Sequence, residues 1–264
     1  MIISHGYTFF AKFLIMDLIK KLKKNINFRK NRNRILKIAR EVFPQKIVSD
    51  GPFKGLKYPE YISCGSAIYS KLLGTYEAEL HDFIYSILRQ DLEILVDIGC
   101  AEGYYAVGFA ILKKNISVYA FDISEFAQNL CRQMAIYNGV VNRIKISGIT
   151  DKEYLLNLPK DKKGLIIIDC EGAEEHLIDQ EVLNRLSNWN FIIELHEFIV
   201  RGIEKKIIDM ISRTHQIEVI DSIDDYRRPD QWPKKNLRGV DFEDQKELYK
   251  EGRPGMMRWV CAIP

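Results

Sequence analysis

The sequence predicts an α/β protein in which helices cover both faces of a doubly wound, mostly parallel sheet of seven strands. From residue 91 onwards, short apolar runs alternate with longer segments of helical periodicity. The runs 165–168 and 191–193 are apolar on both faces, which is typical of parallel strands buried between helices. At 264 residues, 47% hydrophobic and 28% charged, the chain has the composition of a globular protein with one large core and an extension.

Residues 1–43 predict a basic, helical N-terminal arm. Apolar residues recur four positions apart from Phe10 to Leu22, beside a cluster of lysines at 20–24. Residues 1–40 contain eleven Lys and Arg and one acidic residue, so they carry +10, whereas the whole chain carries +3. Such a helix could lie on an anionic membrane surface, and a solvated basic helix is the alternative. Met16 resembles a natural start, so residues 1–15 could be an extension of the gene prediction.

The compartment is predicted from the cysteines and the hydropathy. No apolar run reaches the roughly 18 residues that a membrane span needs. The five cysteines are widely spaced and form no CxxC pair, which favours reduced thiols over disulfides or a zinc site. We therefore expect a cytoplasmic protein, with peripheral contact at the inner membrane surface through the basic arm as the alternative. The oligomeric state stays open.

Two further segments follow the arm. Residues 44–90 are expected to form an extension that packs on the core, with turns and short strands over 44–75 and a helix over 76–89. Residues 91–264 are expected to form the sheet domain. Its predicted strands cover 93–98, 117–122, 143–147, 164–169, 190–195 and 217–221, and its predicted helices cover 103–113, 124–138, 151–158, 173–186 and 199–213. The last strand, 258–263, is expected to pair antiparallel, because no helix long enough for a parallel crossover precedes it.

A glycine-rich turn follows the first strand of the sheet domain. The strand runs into Gly99-Cys100-Ala101-Glu102-Gly103 and then a helix, where an α/β sheet presents backbone to a nucleotide. Asp122 closes the next strand, about twenty residues past Gly103, where an acid accepts hydrogen bonds from ribose hydroxyls. The spacing therefore predicts a site for a nucleotide-type ligand.

The charged residues near this turn distinguish between the two ligands that could bind there. A dinucleotide needs the spacing G-x-G-x-x-G at its pyrophosphate, whereas the spacing here is G-x-x-x-G and Glu102 would repel a dianion. S-adenosylmethionine carries an ammonium and a sulfonium, which Asp97, Glu102 and Asp169 would attract. The acidic residues therefore favour S-adenosylmethionine over NAD.

The segment 97–105 resembles motif I of class I methyltransferases, and the wider pattern is similar to the FkbM-like family. Three other stretches carry the resemblance: Tyr76-Glu77-Ala78-Glu79-Leu80, Ile168-Asp169-Cys170-Glu171-Gly172-Ala173-Glu174 and Ile193-Glu194-Leu195-His196. That family commonly has Asn where Ala101 stands, and segments 1–70 and 222–264 are not covered. The resemblance implies a Rossmann-like fold and methyl transfer to an oxygen, often a sugar or polyketide hydroxyl.

The resemblance also implies a role for each matched residue. Asp122 would contact the ribose, Asp151 would approach the adenine, and Asp169 and Glu171 would line the cleft floor near the reacting methyl. The methionine end would be contacted by Asp97, Gly99 and Gly103. The full set of expected cofactor-binding residues is Asp97, Gly99, Cys100, Ala101, Glu102, Gly103, Tyr104, Tyr105, Asp122, Ile123, Asp151 and Asp169.

Methyl transfer to an alcohol needs a base, and His196 at the end of the fifth strand is the best-placed histidine. A bond from His196 to backbone is the alternative, and Glu171 could be the base instead. The expected catalytic residues are thus His196, Glu171 and Asp169. Asp169, Glu194 and His196 could also hold a divalent metal, since some related methyltransferases use one, but no metal is predicted. A structural role is expected for Glu174 in the first turn of a helix, where the dipole stabilises acids, and a surface position is expected for His176 and His215.

The loop 225–255 combines arginines with aromatic residues. Guanidinium groups clamp phosphate or carboxylate and aromatic faces stack on sugars, so the loop is interpreted as an acceptor lid, with a solvated loop as the alternative. The expected partner is a small-molecule or glycan acceptor. A nucleic-acid methyltransferase is disfavoured, since no Asn-Pro-Pro-Tyr-like segment follows the fourth strand. A cofactor-binding module without catalysis is the third alternative.

Overall fold

The computed structural model describes residues 28–264. A helix covers residues 28–42 and buries Ile35 and Ala39 in the same apolar cluster as one face of the sheet. An ion pair of 2.9 Å joins Arg34 of this helix to Asp244 near the C-terminus. Residues 1–27 of the predicted arm, and with them most of the expected membrane-facing helix, lie outside the described residues.

The sheet has the predicted Rossmann-like arrangement of seven strands. Their order is β3-β2-β1-β4-β5-β7-β6, all parallel except β7, which runs antiparallel to both of its neighbours. The predicted fold class is thereby confirmed, including the antiparallel last strand. The strands are β1 (Ile94–Ile98), β2 (Ser117–Phe121), β3 (Ile144–Ser147), β4 (Gly164–Ile168), β5 (Asn190–Leu195), β6 (Gln216–Asp221) and β7 (Arg258–Ile263).

Helices cover both faces of the sheet. Three short 3-10 helices, Ala78–Leu80, Val141–Arg143 and Lys235–Leu237, complete the described elements. The α-helices are α1 (28–42), α2 (Ile68–Leu73), α3 (His81–Leu88), α4 (Tyr104–Leu112), α5 (Glu125–Tyr137), α6 (Lys152–Leu156), α7 (Glu174–Leu177), α8 (Gln180–Arg185), α9 (Ile203–Ile211), α10 (Arg228–Gln231) and α11 (Phe242–Tyr249).

The helix predicted over 76–89 begins only at His81, because Glu77 has a φ of 47° and a 3-10 turn covers Ala78–Leu80. Two other predicted helices are also wrong in extent. The segment 173–186 forms α7 and α8 rather than one helix, because Asp179 takes an extended backbone and its carboxylate accepts the amide hydrogen of Val182, which starts a new helix. The segment 199–213 is helical only from Ile203, because Gly202 has a φ of 86° and Glu197 accepts the amide hydrogens of Gly202 and Glu204. Both departures are caused by local side-chain caps.

The register of the central strands brings the site residues together. Ile98 of β1 lies beside Ile168 of β4, which in turn lies beside Ile193 of β5. Because these parallel strands end at the same edge of the sheet, the residues that follow them are neighbours in space. Buried side chains of the same strands alternate between the two faces, so that Leu95 joins one apolar cluster and Val96 the other. Apolar clusters on both faces of the sheet therefore support this edge.

Candidate active site

A cleft lies at the carboxyl edge of the central strands and has two parts. The acidic cavity, of about 290 Å³, is bounded by charged groups that include Asp97, Glu194, His196 and Arg253. The apolar cavity, of about 360 Å³, is lined by apolar side chains that include Phe121, Ile123, Ile149 and Leu177. The two cavities meet at shared lining residues, which are Gly99, Asp122, Asp169 and Glu171.

The glycine turn packs its backbone against the end of β4. Gly99 has a φ of 87°, and a Cβ atom at this position would lie 1.6 Å from the carbonyl oxygen of Asp169. No side chain can fit there without moving one of the two strands. Ala101 also has a left-handed backbone, with a φ of 47°. The turn therefore packs closely against the end of β4, and its backbone borders the cleft.

Asp122 lies between the turn and α5. Its Oδ2 accepts the amide hydrogen of Ala101 at 2.9 Å, and its Oδ1 accepts that of Ser124 at 2.8 Å. Each carboxylate oxygen keeps a second lone pair, so the side chain can still accept hydrogen bonds from a ligand in the cleft. Ile123 and Ile149, each 81% exposed, belong to the apolar cavity beside it. The placement of Asp122 agrees with the predicted contact to ribose hydroxyls.

Two other predicted cofactor residues are held by local hydrogen bonds. Asp97 is buried, its Oδ2 accepts the amide hydrogen of Ala106 at 3.0 Å, and burial raises its pKa to about 7. Asp151 borders the apolar cavity, but its carboxylate caps α6 by accepting the amide hydrogen of Tyr154 at 2.9 Å. Asp97 thus lies under the acidic cavity and Asp151 at the far end of the apolar one.

The prediction that Glu102 presents its charge to a cofactor is wrong. Its carboxylate lies 2.6 Å from the ammonium group of Lys71, and both side chains are only 2% exposed. It also accepts hydrogen bonds from Ser63 and Cys64, and it borders neither cavity. The charge is neutralised internally, so Glu102 fastens the segment 63–71 to the turn.

The remaining residues of the turn divide between packing and the acidic cavity. Gly103 borders neither cavity, and a Cβ atom there would lie 2.8 Å from Cys131 Sγ of α5. Tyr104 and Tyr105, both among the expected cofactor-binding residues, contribute to the wall of the acidic cavity. The hydroxyl of Tyr105 donates to Glu77. Cys100 and Ala101 contribute to the same wall.

His196 is held by a buried carboxylate. Nδ1 lies 2.7 Å from Glu174 Oε1, His196 is 2% exposed and Glu174 is fully buried. Because a carboxylate can only accept, Nδ1 donates its hydrogen and Nε2 is left facing the acidic cavity. Burial alone lowers the pKa of His196, but the hydrogen bond to Glu174 and the nearby carboxylates outweigh it and the pKa is raised. Glu174 therefore orients His196, a role that the sequence analysis does not assign to it.

Asp169 and Glu171 face the same ring nitrogen. His196 Nε2 lies 3.6 Å from Asp169 Oδ1 and 3.6 Å from Glu171 Oε2. Glu171 has a φ of 54°, a left-handed backbone that non-glycine residues seldom adopt, and its side chain is 77% exposed. The three expected catalytic residues are therefore brought together in one cluster.

Arg253 forms the opposite wall of the acidic cavity. Its guanidinium group makes ion pairs with Glu77 at 2.7 Å, with Glu251 at 2.9 Å and with Glu194. Arg228, which is fully buried, pairs with Glu251 at 2.6 Å and with Glu79. Two of the four arginines of the predicted acceptor lid are thus occupied by carboxylates of this chain. The loop still closes one side of the cavity.

Some residues of the site were not predicted from the sequence. Glu77 and Glu251 have no role in the sequence interpretation, although Glu77 lies in one of the stretches that carry the family resemblance. The predicted surface position of His215 is wrong: it is 6% exposed and its Nε2 lies 3.1 Å from the carbonyl oxygen of Trp189. His176 contributes to the apolar cavity.

No family model matches the chain, and no curated protein matches it. Solved structures of similar arrangement include an rRNA methylase from Streptococcus thermophilus, at 14% identity over 70% of this chain and 97% of that one, with a TM-score of 0.47. A precorrin-6y C5,15-methyltransferase from Geobacter metallireducens matches at 13% identity over 69% and 86%, with a TM-score of 0.46. The strand order, rather than these similarities, defines the fold.

No helix within residues 28–264 has both the length and the apolar character needed to cross a membrane.

Proposed function

We propose that this chain is an S-adenosylmethionine-dependent methyltransferase that methylates a hydroxyl group of a carbohydrate or related small molecule. One observation carries the proposal: the buried pair of His196 and Glu174 directs Nε2 into a cavity that meets a nucleotide-type cleft at Gly99 and Asp122. A proton acceptor and a cofactor site therefore share one opening, as methyl transfer to an alcohol requires.

The residues of the cleft fit the cofactor. Asp122 keeps free lone pairs for two ribose hydroxyls, and the exposed side chains of Ile123 and Ile149 offer an apolar surface for an adenine ring. Asp97 and Asp169 border the acidic cavity, where carboxylates attract the ammonium and sulfonium groups. When bound, the cofactor supplies a methyl group on a positively charged sulfur.

The residues of this chain would contribute orientation and proton transfer. Glu174 fixes the imidazole ring and its tautomer, so that Nε2 of His196 can take the proton of an acceptor hydroxyl. Its raised pKa makes the imidazole a stronger proton acceptor. Glu171, exposed at the cavity rim, is placed to accept a second hydrogen bond from the acceptor and so orient it. Alignment of the acceptor is the largest contribution expected in such a displacement.

The charge of the acidic cavity supports a neutral, hydroxyl-bearing acceptor. Lys71 is neutralised by Glu102, and Arg253 is surrounded by three carboxylates, so neither cation of the cavity wall is available for a phosphate. The carboxylates can accept hydrogen bonds from hydroxyl groups. Phe198, which is 58% exposed beside His196, offers an apolar face of the kind on which sugar rings stack. These features favour a small polyhydroxylated acceptor over a nucleic acid.

Calorimetry with S-adenosylmethionine, S-adenosylhomocysteine and NAD tests the proposal. We expect both adenosyl ligands to bind one site per chain and NAD to give no heat, because no pyrophosphate site is present in the turn. Binding of NAD without binding of either adenosyl ligand would contradict the proposed cofactor. Transfer of a labelled methyl group to members of a hydroxyl-bearing small-molecule panel then tests the acceptor class, with RNA as the comparison substrate.

A further inference from the structure

We propose that Asp169, Glu171 and His196 form a binding site for a divalent transition-metal ion whose occupation blocks the proton acceptor of the active site. One potential ligand atom from each residue lies within 4.8 Å of the other two. Two ligand atoms that bind one ion at about 2.1 Å are at most about 4.2 Å apart. The two separations of 3.6 Å from His196 Nε2 are therefore compatible with a shared ion after small side-chain movements.

The state of His196 is the second, independent observation. Its side chain is buried, and among the described residues Nε2 has no hydrogen-bond partner, although Nδ1 is fully engaged by Glu174. Metal-binding histidines commonly donate one ring nitrogen to a carboxylate and bind the ion with the other. In His196, Nδ1 donates to Glu174, and Nε2 faces carboxylate oxygens of Asp169 and Glu171. The nitrogen lone pair is thus directed at the place where an ion would lie.

The surroundings of the cluster leave Glu171 free, whereas the carboxyl group of Asp169 shares a hydrogen bond with Glu194 that an ion would have to replace. Glu194 Oε2 is also near, at 3.9 Å from Nε2, but Glu194 is held by Arg253 on the far wall. Glu171 accepts no hydrogen bond within the described residues, and its left-handed backbone at φ 54° directs it to the rim. A left-handed backbone strains a non-glycine residue and often marks a functional position.

The ligand set indicates the class of ion. One imidazole nitrogen and two carboxylate oxygens suit Mn²⁺, Fe²⁺, Co²⁺ or Zn²⁺, whereas Ca²⁺ and Mg²⁺ prefer oxygen ligands alone. An ion bound to Nε2 would occupy the lone pair that takes the hydroxyl proton. We therefore expect the ion to inhibit methyl transfer. Only this inhibition rests on the proposed function, whereas ion binding does not.

Titration with Mn²⁺ tests the site, because thiols bind this ion poorly and its free form gives a sharp electron paramagnetic resonance signal. The experiment uses the full chain after removal of any polyhistidine tag. We expect one Mn²⁺ per chain, and Glu171→Gln should weaken binding by about tenfold or more because it removes a ligand. Glu175→Gln is the matched control: it makes the same change four residues away, on a side chain that pairs with Lys206 at the surface. It should leave the affinity unchanged.

His196→Gln provides a second ligand variant, in case one of the two substitutions disturbs folding. Absence of Mn²⁺ binding at millimolar concentration, or equal binding by wild type, Glu171→Gln and His196→Gln, would overturn the site. Methyl transfer that rises with Mn²⁺ would overturn the inhibitory role. Failure of S-adenosylmethionine to bind refutes the proposed function and leaves the Mn²⁺ result interpretable by itself.

Discussion

The two cavities of the cleft are held together in different ways. The apolar cavity and its glycine turn are fixed by backbone contacts between neighbouring strands, such as the approach of Gly99 to Asp169 and the two amide hydrogens accepted by Asp122. The acidic cavity is fixed by charged side chains: Arg253 holds three carboxylates in one wall, and Glu174 holds His196. Backbone groups can position a ligand, whereas a titratable side chain is needed to accept a proton. Under the proposed function, the comparison assigns the nucleoside part of the cofactor to the apolar cavity, and its methionine end and proton transfer to the acidic one.

The largest expected effect of a substitution is on turnover, in the acidic cavity. His196→Ala should reduce the turnover number by about 10²–10⁴-fold, because it removes the proton acceptor. Affinity for S-adenosylmethionine should change little, since His196 does not itself line the apolar cavity. Steady-state kinetics and calorimetry on the same preparation measure the two quantities. Loss of cofactor affinity in this variant would remove the proposed division between the cavities.

Arg253 tests whether the acidic cavity depends on its ion pairs. Arg253→Leu would leave Glu77, Glu194 and Glu251 without their shared counter-charge, each with a side chain at most 5% exposed. Removal of one partner from a buried ion pair costs about 3–5 kcal/mol of unfolding free energy. Denaturant unfolding measures the loss. Arg227→Leu, on an exposed side chain of the same loop, is the control and should change the stability little.

Asp97, which borders the acidic cavity, gives a pH-dependent test. Burial raises its pKa from 3.8 to about 7, so the folded state holds a proton that the unfolded state releases. The stability of the ligand-free protein should therefore fall as pH rises from 4 to 7. Asp97→Asn should flatten this fall by at most about 4 kcal/mol, because each pKa unit corresponds to about 1.4 kcal/mol. Unfolding curves across this range measure the slope.

The exposed Asp91 provides the control for that experiment. Asp91→Asn makes the same chemical change and should reproduce the wild-type slope. A parallel fall in wild type and Asp97→Asn would show that other groups cause the pH dependence. Asp97→Asn should also weaken S-adenosylmethionine binding, since the amide has no charge to attract the ammonium group. Calorimetry on the variant measures that second effect.

The difference between the two cavities also explains which features of the structure could be predicted from the sequence. The strands, the turn and Asp122 were predicted because their contacts lie within one strand-turn-helix unit, where spacing determines geometry. Glu174 was predicted to be structural because no known spacing links it to His196, which follows a different strand. Arg253 was interpreted as a ligand clamp because its partner Glu77 is 176 positions away. Glu102 was misread for the same reason, since Lys71 neutralises it from outside the motif.

The smallest effect is expected from substitution of Asp122, which should weaken cofactor binding without unfolding the protein. Asp122→Ala removes the acceptor for the amide hydrogens of Ala101 and Ser124 and for the proposed ribose hydroxyls. The loss of a charged hydrogen-bond acceptor should weaken S-adenosylmethionine binding by about 1.5–3 kcal/mol. Asp122→Asn keeps one oxygen acceptor and should retain part of this affinity, whereas equal affinity of wild type and both variants would place the ribose elsewhere. Because the turn is also fixed by Gly99, the overall fold should persist in both variants, and the difference between wild type and Asp122→Asn measures what the second carboxylate oxygen contributes.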